Sequence, residues 1–211
     1  MKRIKMKYLL DTAALLFLLC SSLSAQFGIG AVVTTDLYQH YTNPTDNISD
    51  PSYGNAILNL GVGPKIWMGG QKFTFAIDAR ANVGFTGFTL GENKGLGGLA
   101  IPIMGTLNFN GLSSMDRTGR KGLSIGGGIQ YVQTELYGLK QEFKDLGVTR
   151  DFFDVIVIQA GYGYGVSGAS AQFIVRYGFN PDSDAQTINI GLQYDFNLVT
   201  MKKIDDPNSA L

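Results

Sequence analysis

The residues of this chain that can do chemistry are few, and their spacing belongs to strands. Asp78 and Arg80 stand two apart in one run, Arg176 sits in a second, and Gln193 and Asp195, again two apart, lie in a third. Residues two apart share one face of a strand, so each run aims its polar groups to one side. In a narrow enclosed space opposite charges pair, and removing one partner leaves the other uncompensated. The same set read as a device would be an ion-selective constriction. His40, the sole histidine, falls in a polar stretch with Asp46, Ser49 and Asp50. Those are the residue types of an acyl-transfer site, but no spacing among them supports one. Asp46, Asn47 and Asp50, like Asp182 and Asp184, offer oxygens without the ordered spacing of a calcium loop. Asn47-Ile48-Ser49 matches a glycosylation sequon that matters only on a eukaryotic secretory route. Gly161-x-Gly163-x-Gly165 is interleaved with Tyr162 and Tyr164, which makes it a strand and not a phosphate loop. No catalytic residue, metal site or cofactor is expected.

Composition narrows the classes further. Lys plus Arg (17) equals Asp plus Glu (17), so no basic field attracts nucleic acid. Frequent Gly, Tyr and Phe with sparse charge suit strands and turns. Lys2, Arg3, Lys5 and Lys7 precede a short apolar run, Ala13 to Leu19, and then the small residues Ser21-Ser22-Leu23-Ser24-Ala25. That is the order of a secretory signal, too short to span a membrane, with cleavage expected after Ala25. Cys20, the only cysteine, lies inside it; no intramolecular disulfide can form, and Leu18-Leu19 before it argue against lipidation. The expected organisation is a signal peptide over 1–25, a single barrel over 26–198 and a polar tail over 199–211.

The elements that must position these residues are strands. From Ile188 to Leu198 every second residue is large and apolar, and each residue between is polar or Gly. The same alternation predicts strands near 27–38, 56–68, 72–90, 99–110, 123–137, 152–166, 171–179 and 187–198. Pro102 removes one ladder donor from the fourth, and the strict alternation of the fifth stops after Val132. The sixth has Val155 and Val157 on its otherwise polar face. Links alternate between longer and shorter, with Gly69-Gly70 and Ser167 to Ser170 as tight turns. The stretch 39–54 reads as a long loop, and 138–151 as a loop with a helical turn that Gly147 ends. The fold class is all-β: an eight-stranded antiparallel up-and-down transmembrane β-barrel.

The direction of the apolar face follows from the aromatic residues. Phe27, Phe73, Phe75, Phe109, Tyr162, Tyr164, Tyr194 and Phe196 fall toward the rim of the short links. Phe85, Phe88, Tyr137, Phe152, Phe153, Tyr177 and Phe179 fall toward the other, with an aliphatic band between. Two aromatic girdles around such a band mark the two membrane interfaces. The opposite face, rich in Gly, Asn and Gln, suits a narrow lumen better than the surface of a soluble ligand-binding barrel.

With these strands in place, the chain resembles the small eight-stranded outer-membrane barrels of the OmpA/OmpX kind. Asn189-x-Gly191-x-x-Tyr194-x-Phe196 is similar to the carboxy-terminal insertion signal of such barrels. The resemblance implies a bacterial outer-membrane location, contact with its lipid, and a barrel assembly machinery that reads the signal. The Ser24-Ala25-Gln26 junction also resembles those of Bacteroidetes. The expected role is non-enzymatic: envelope structure, surface contact or a subunit of an envelope complex with protein partners. The alternatives are a small pore or transport accessory, a lipid-modifying barrel enzyme with a rim histidine, and a soluble ligand-binding barrel.

Overall fold

Strict alternation leaves each strand with one wet and one apolar face, and only pairing with two neighbours satisfies its backbone. The computed structural model describes residues 26–45, 53–84, 86–87, 96–114 and 119–198. The expected signal, the tail, Asp46, Asn47, Ser49, Asp50, Phe85 and Phe88 lie outside the described residues. The strands are β1 (Gln26–Thr42), β2 (Tyr53–Ile57), β3 (Asn59–Gly69), β4 (Phe73–Ala79), β5 (Ala81–Gly84) and β6 (Thr86–Gly87). They continue as β7 (Leu96–Asn110), β8 (Arg120–Tyr137), β9 (Phe153–Val166), β10 (Ala169–Phe179) and β11 (Gln186–Asn197), with α1 (Gln141–Asp145) between β8 and β9. β2 with β3 form the second stave of a barrel, and β4, β5 and β6 the third, so the ring has eight staves. All pairings are antiparallel, and β1 closes the ring by pairing with both β3 and β11.

Each interruption of the alternation has a local cause. The third stave breaks at Arg80 because its partner across the ladder is Pro102, which accepts from Arg80 N at 3.0 Å but has no N–H to return. The phase of β8 changes at Glu135, whose φ of 54° turns Thr134 and Glu135 both inward. Between β9 and β10, Ser167 (φ 55°) and Gly168 (φ 82°) make a two-residue turn with both positions left-handed, which fits the strand twist. β10 therefore begins at Ala169, ahead of the expected start. Helix α1 ends with Gly147 N donating to Lys144 O and Val148 N to Phe143 O, a Schellman close.

Two expectations need correction. The first strand runs on to Thr42, so His40 lies on β1 and not in a loop. Phe153 belongs to no girdle: it packs inward against the cluster of Ala100, Met104, Val132, Val155, Val157 and Ala185. Val155 and Val157 face the lumen because their half of it is apolar, which explains the two-sided look of β9.

The outward faces are apolar. Phe27, Leu123 and Ile158 are 63%, 57% and 56% exposed, whereas inward Arg176 and Gln193 are 1% and 2% exposed. Among the described strand residues, the only exposed Lys, Arg, Asp or Glu are Arg120 and Lys121 at the start of β8 and Asp154 at the start of β9. Lys121 pairs with Tyr164 and Asp154 with Tyr131, so the two charges bracket about ten residues of β9. At ~3.3 Å per residue and a tilt near 40°, that span stands roughly 25 Å tall, the height of the apolar band of a membrane barrel. Leu192 sits outward in the middle of β11. Leu192→Arg is expected to lower stability by about 2–4 kcal/mol when unfolding by urea is followed in lipid vesicles.

Candidate functional site

The lumen is where the chain's charged side chains meet. The inward positions of β3, β4, β10 and β11 bring Lys65, Asp78, Arg176, Gln193 and Asp195 inside the barrel, Arg80 joins them from the break between β4 and β5, and β1 adds Asp36; all are buried. Arg80 Nε stands 2.7 Å from Asp78 Oδ1, close enough to pair in charge though off the hydrogen-bond axis. Arg80 Nη1 donates to Gln193 Oε1 at 3.2 Å, and Gln193 Nε2 donates to Asp195 Oδ1 at 3.1 Å. Lys65 Nζ lies 3.4 Å from the same Asp195 oxygen. Gln172 Nε2 reaches the other oxygen at 3.2 Å. A second pair, Arg176 Nη2 to Asp36 Oδ1, is backed by Asn189 Nδ2 donating to Asp36 Oδ2 at 2.8 Å.

The five lumenal residues expected from sequence therefore share one interior, but in two groups: Asp78, Arg80, Gln193 and Asp195 connect directly, while Arg176 turns to Asp36. Lys65 and Asp36 were missing from the expected network. Both carry the inward parity of their strands, so the signal was there. Which residues meet across the lumen, however, depends on the stagger between strands, and that is absent from any one strand's pattern. Of the expected insertion signal, Asn189 and Gly191 face inward, whereas Tyr194 and Phe196 face outward. Asn189 thus has a structural partner in Asp36.

The lumen is filled above and below this charged layer. Toward the short links Trp67 packs on Ala76 and leans over Gly28, where an added Cβ would come within 2.3 Å of the indole. The turn after β7 folds in beneath: Leu112 is buried, Ser113 Oγ donates to Gly70 O at 2.5 Å, and Ser114 N donates to Thr74 Oγ1 at 3.3 Å. Toward the long links stands the apolar cluster of Met104, Val132, Val155 and Val157, roofed by Ala185. At that rim Thr134 Oγ1 donates to Asn43 Oδ1 at 2.5 Å, and Arg150 Nε to Glu135 Oε2 at 2.6 Å. A cavity of about 10 Å³, lined by Asp36, Gln39, Asn59 and Asn82 among others, is room for about one water. A ring of eight strands is just wide enough for side chains to fill it.

The arrangement binds the staves together from inside the barrel and fills the lumen at several levels. Asp36 and Arg176 lie far apart in sequence, on β1 and β10, and each is buried. Arg176→Leu is expected to destabilise the barrel by about 3–5 kcal/mol by stranding the Asp36 carboxylate. The double change Asp36→Leu with Arg176→Leu is expected to recover most of that loss, as a double-mutant cycle of vesicle unfolding would measure.

No family model matches the chain, and no curated protein matches it in sequence. Solved structures of related shape include Neisserial surface protein A (NspA), at 9% sequence identity and a TM-score of 0.44, covering 82% of this chain and 98% of that one. The outer membrane protein OprG from Pseudomonas aeruginosa is 15% identical with a TM-score of 0.44, over 82% of this chain and 96% of its own. The N-terminal β-barrel domain of Pseudomonas aeruginosa OprF is 11% identical with a TM-score of 0.39, over 81% and 100%. At such values no function passes from those proteins to this chain, whose site is read from its own residues.

Proposed function

We propose that this chain is a non-enzymatic barrel of a bacterial outer membrane that works through its shape and its surface. The observation that carries the reading is the inversion of the usual soluble pattern: large apolar side chains are exposed all round the cylinder while ions and amides are buried within it. A cylinder closed by hydrogen bonds satisfies every spanning amide in an environment that offers no water. The tight links 70–72 and 167–168, the longer link between β7 and β8, and both ends of the described chain, Gln26 and Leu198, belong to one rim, and the links between β1 and β2, β6 and β7, β8 and β9, and β10 and β11 belong to the other. In outer-membrane barrels the short turns face the periplasm and the long links face outward. The long-link rim is then the surface available to envelope partners. Asn189, Gly191, Tyr194 and Phe196 are the residues proposed for recognition by the assembly machinery.

The packed lumen speaks against the pore reading. Three levels close it: Trp67 with Leu112, the charged layer, and the Met104 cluster under Ala185. The enzyme reading rested on His40, whose ring nitrogen contacts Asn55 and not a carboxylate among the described residues. The purified barrel in planar bilayers is expected to give no stepwise conductance above background. Reproducible channel steps from the wild-type protein would contradict the filled lumen and favour a transport role.

A further inference from the structure

The fold departs from regular alternation at one level on two adjacent staves, and the departure serves a set of side chains outside the lumen. Along β1 the register against β11 slips between Asp36 and Tyr38, and Leu37 is the extra residue. On the neighbouring stave Leu58, at φ 55°, separates β2 from β3. The two irregularities stay in step, because Asp36 pairs with Asn59 on one side of them and Gln39 with Ala56 on the other. Bulges re-aim side chains. Without this one, His40 would share the inward parity of Asp36. With it, Gln39 and Tyr41 turn inward, while Tyr38, His40, Tyr53 and Asn55 face out.

These four residues form a built cluster. Tyr38 Oη donates to Asn55 Oδ1 at 2.8 Å, and His40 Nδ1 lies 2.8 Å from the same oxygen. A carboxamide oxygen only accepts, so Nδ1 is the donor of this contact, and in the neutral ring Nε2 is then the acceptor. Asn55 Nδ2 and His40 Nε2 have no hydrogen bond among the described residues. Tyr53, 62% exposed, stands beside the imidazole with ring centroids 6.4 Å apart. An ordinary interfacial tyrosine turns its hydroxyl to water, whereas Tyr38 commits its hydroxyl sideways to hold Asn55.

We infer that Tyr38, His40, Tyr53 and Asn55 form a binding site for the sugar ring of a glycolipid headgroup at the long-link interface. The chemistry selects the ligand. Aromatic faces take the C–H face of a sugar ring, and a carboxamide donor beside an imidazole acceptor matches neighbouring hydroxyls. No Lys or Arg joins the cluster among the described residues, so it lacks the cationic groups that recognise phosphate. Its level selects the source. The site sits just past the exposed apolar side chains Leu37 and Leu60, where lipid headgroups begin. This inference rests on the barrel being inserted in a membrane.

The test uses the single histidine as its reporter. The ¹⁵N-labelled full barrel is placed in phosphatidylcholine nanodiscs carrying increasing fractions of a dihexosyl diacylglycerol, and the imidazole resonances are followed. The Nε2 resonance is expected to move to saturation while Nδ1 stays protonated. Asn55→Ala and Tyr53→Ala, checked for heat-dependent gel mobility, are expected to raise the half-saturating fraction about five- to tenfold. An unmoved resonance in a folded barrel would overturn the site. So would an equal movement with phosphatidylglycerol, or with the free disaccharide in place of the lipid. A wild-type barrel without heat-dependent mobility would overturn the membrane reading itself, and with it the site.

Discussion

The structure depends on a geometric constraint: eight strands closed into a ring enclose a space only a few side chains wide. Everything large must either fit across that space or stand outside it. Outside, apolar side chains meet a solvent that cannot hydrogen-bond, which makes closure of the ladder obligatory. Inside, a charge is tolerated only with a partner in reach, and the narrow lumen supplies one from the next stave but one. Lys65 reaches Asp195, and Arg176 reaches Asp36. Glycines at inward positions complete the fit; Gly28 gives way to the Trp67 indole that fills the lower lumen.

Most of the fold was legible because the constraint acts on each strand separately. A period of two with one apolar face marks a strand half-immersed in lipid, and no tertiary knowledge is needed to see it. The run from Ile188 to Leu198 shows this in isolation. What escaped was anything set by a neighbouring strand. The break at Arg80 comes from Pro102 on the next stave. The extension of β1 to Thr42 depends on β2 pairing with its end, and the composition of 39–45 alone reads as loop. Val155 and Val157 looked ambiguous, and Phe153 was assigned to a girdle, because a barrel lumen need not be polar throughout, and their half is packed with apolar side chains.

The site was legible in parity but not in partnership. Asp78, Arg80, Arg176, Gln193 and Asp195 all carry the inward phase, and so do Asp36 and Lys65. Pairing Arg176 with Asp36 requires the stagger of β10, β11 and β1, which the sequence of one strand does not contain. Bulges lie further from view. Nothing in Asp36-Leu37-Tyr38 announces an extra residue, yet that residue decides whether His40 meets the lumen or the lipid interface.

The central claim is the orientation of the two faces, and site-directed spin labelling along β10 tests it most directly. With Cys20, the only native cysteine, replaced by serine, single cysteines are placed in turn from position 171 to 178 and labelled in lipid vesicles. Odd positions, including Phe173, Val175 and Tyr177, are expected to show high collision rates with dissolved oxygen and low rates with a water-soluble nickel chelate. Even positions, including Gln172 and Arg176, are expected to be shielded from oxygen. Oxygen accessibility that is flat along the strand, or that peaks at the even positions, would contradict a barrel whose apolar side faces lipid.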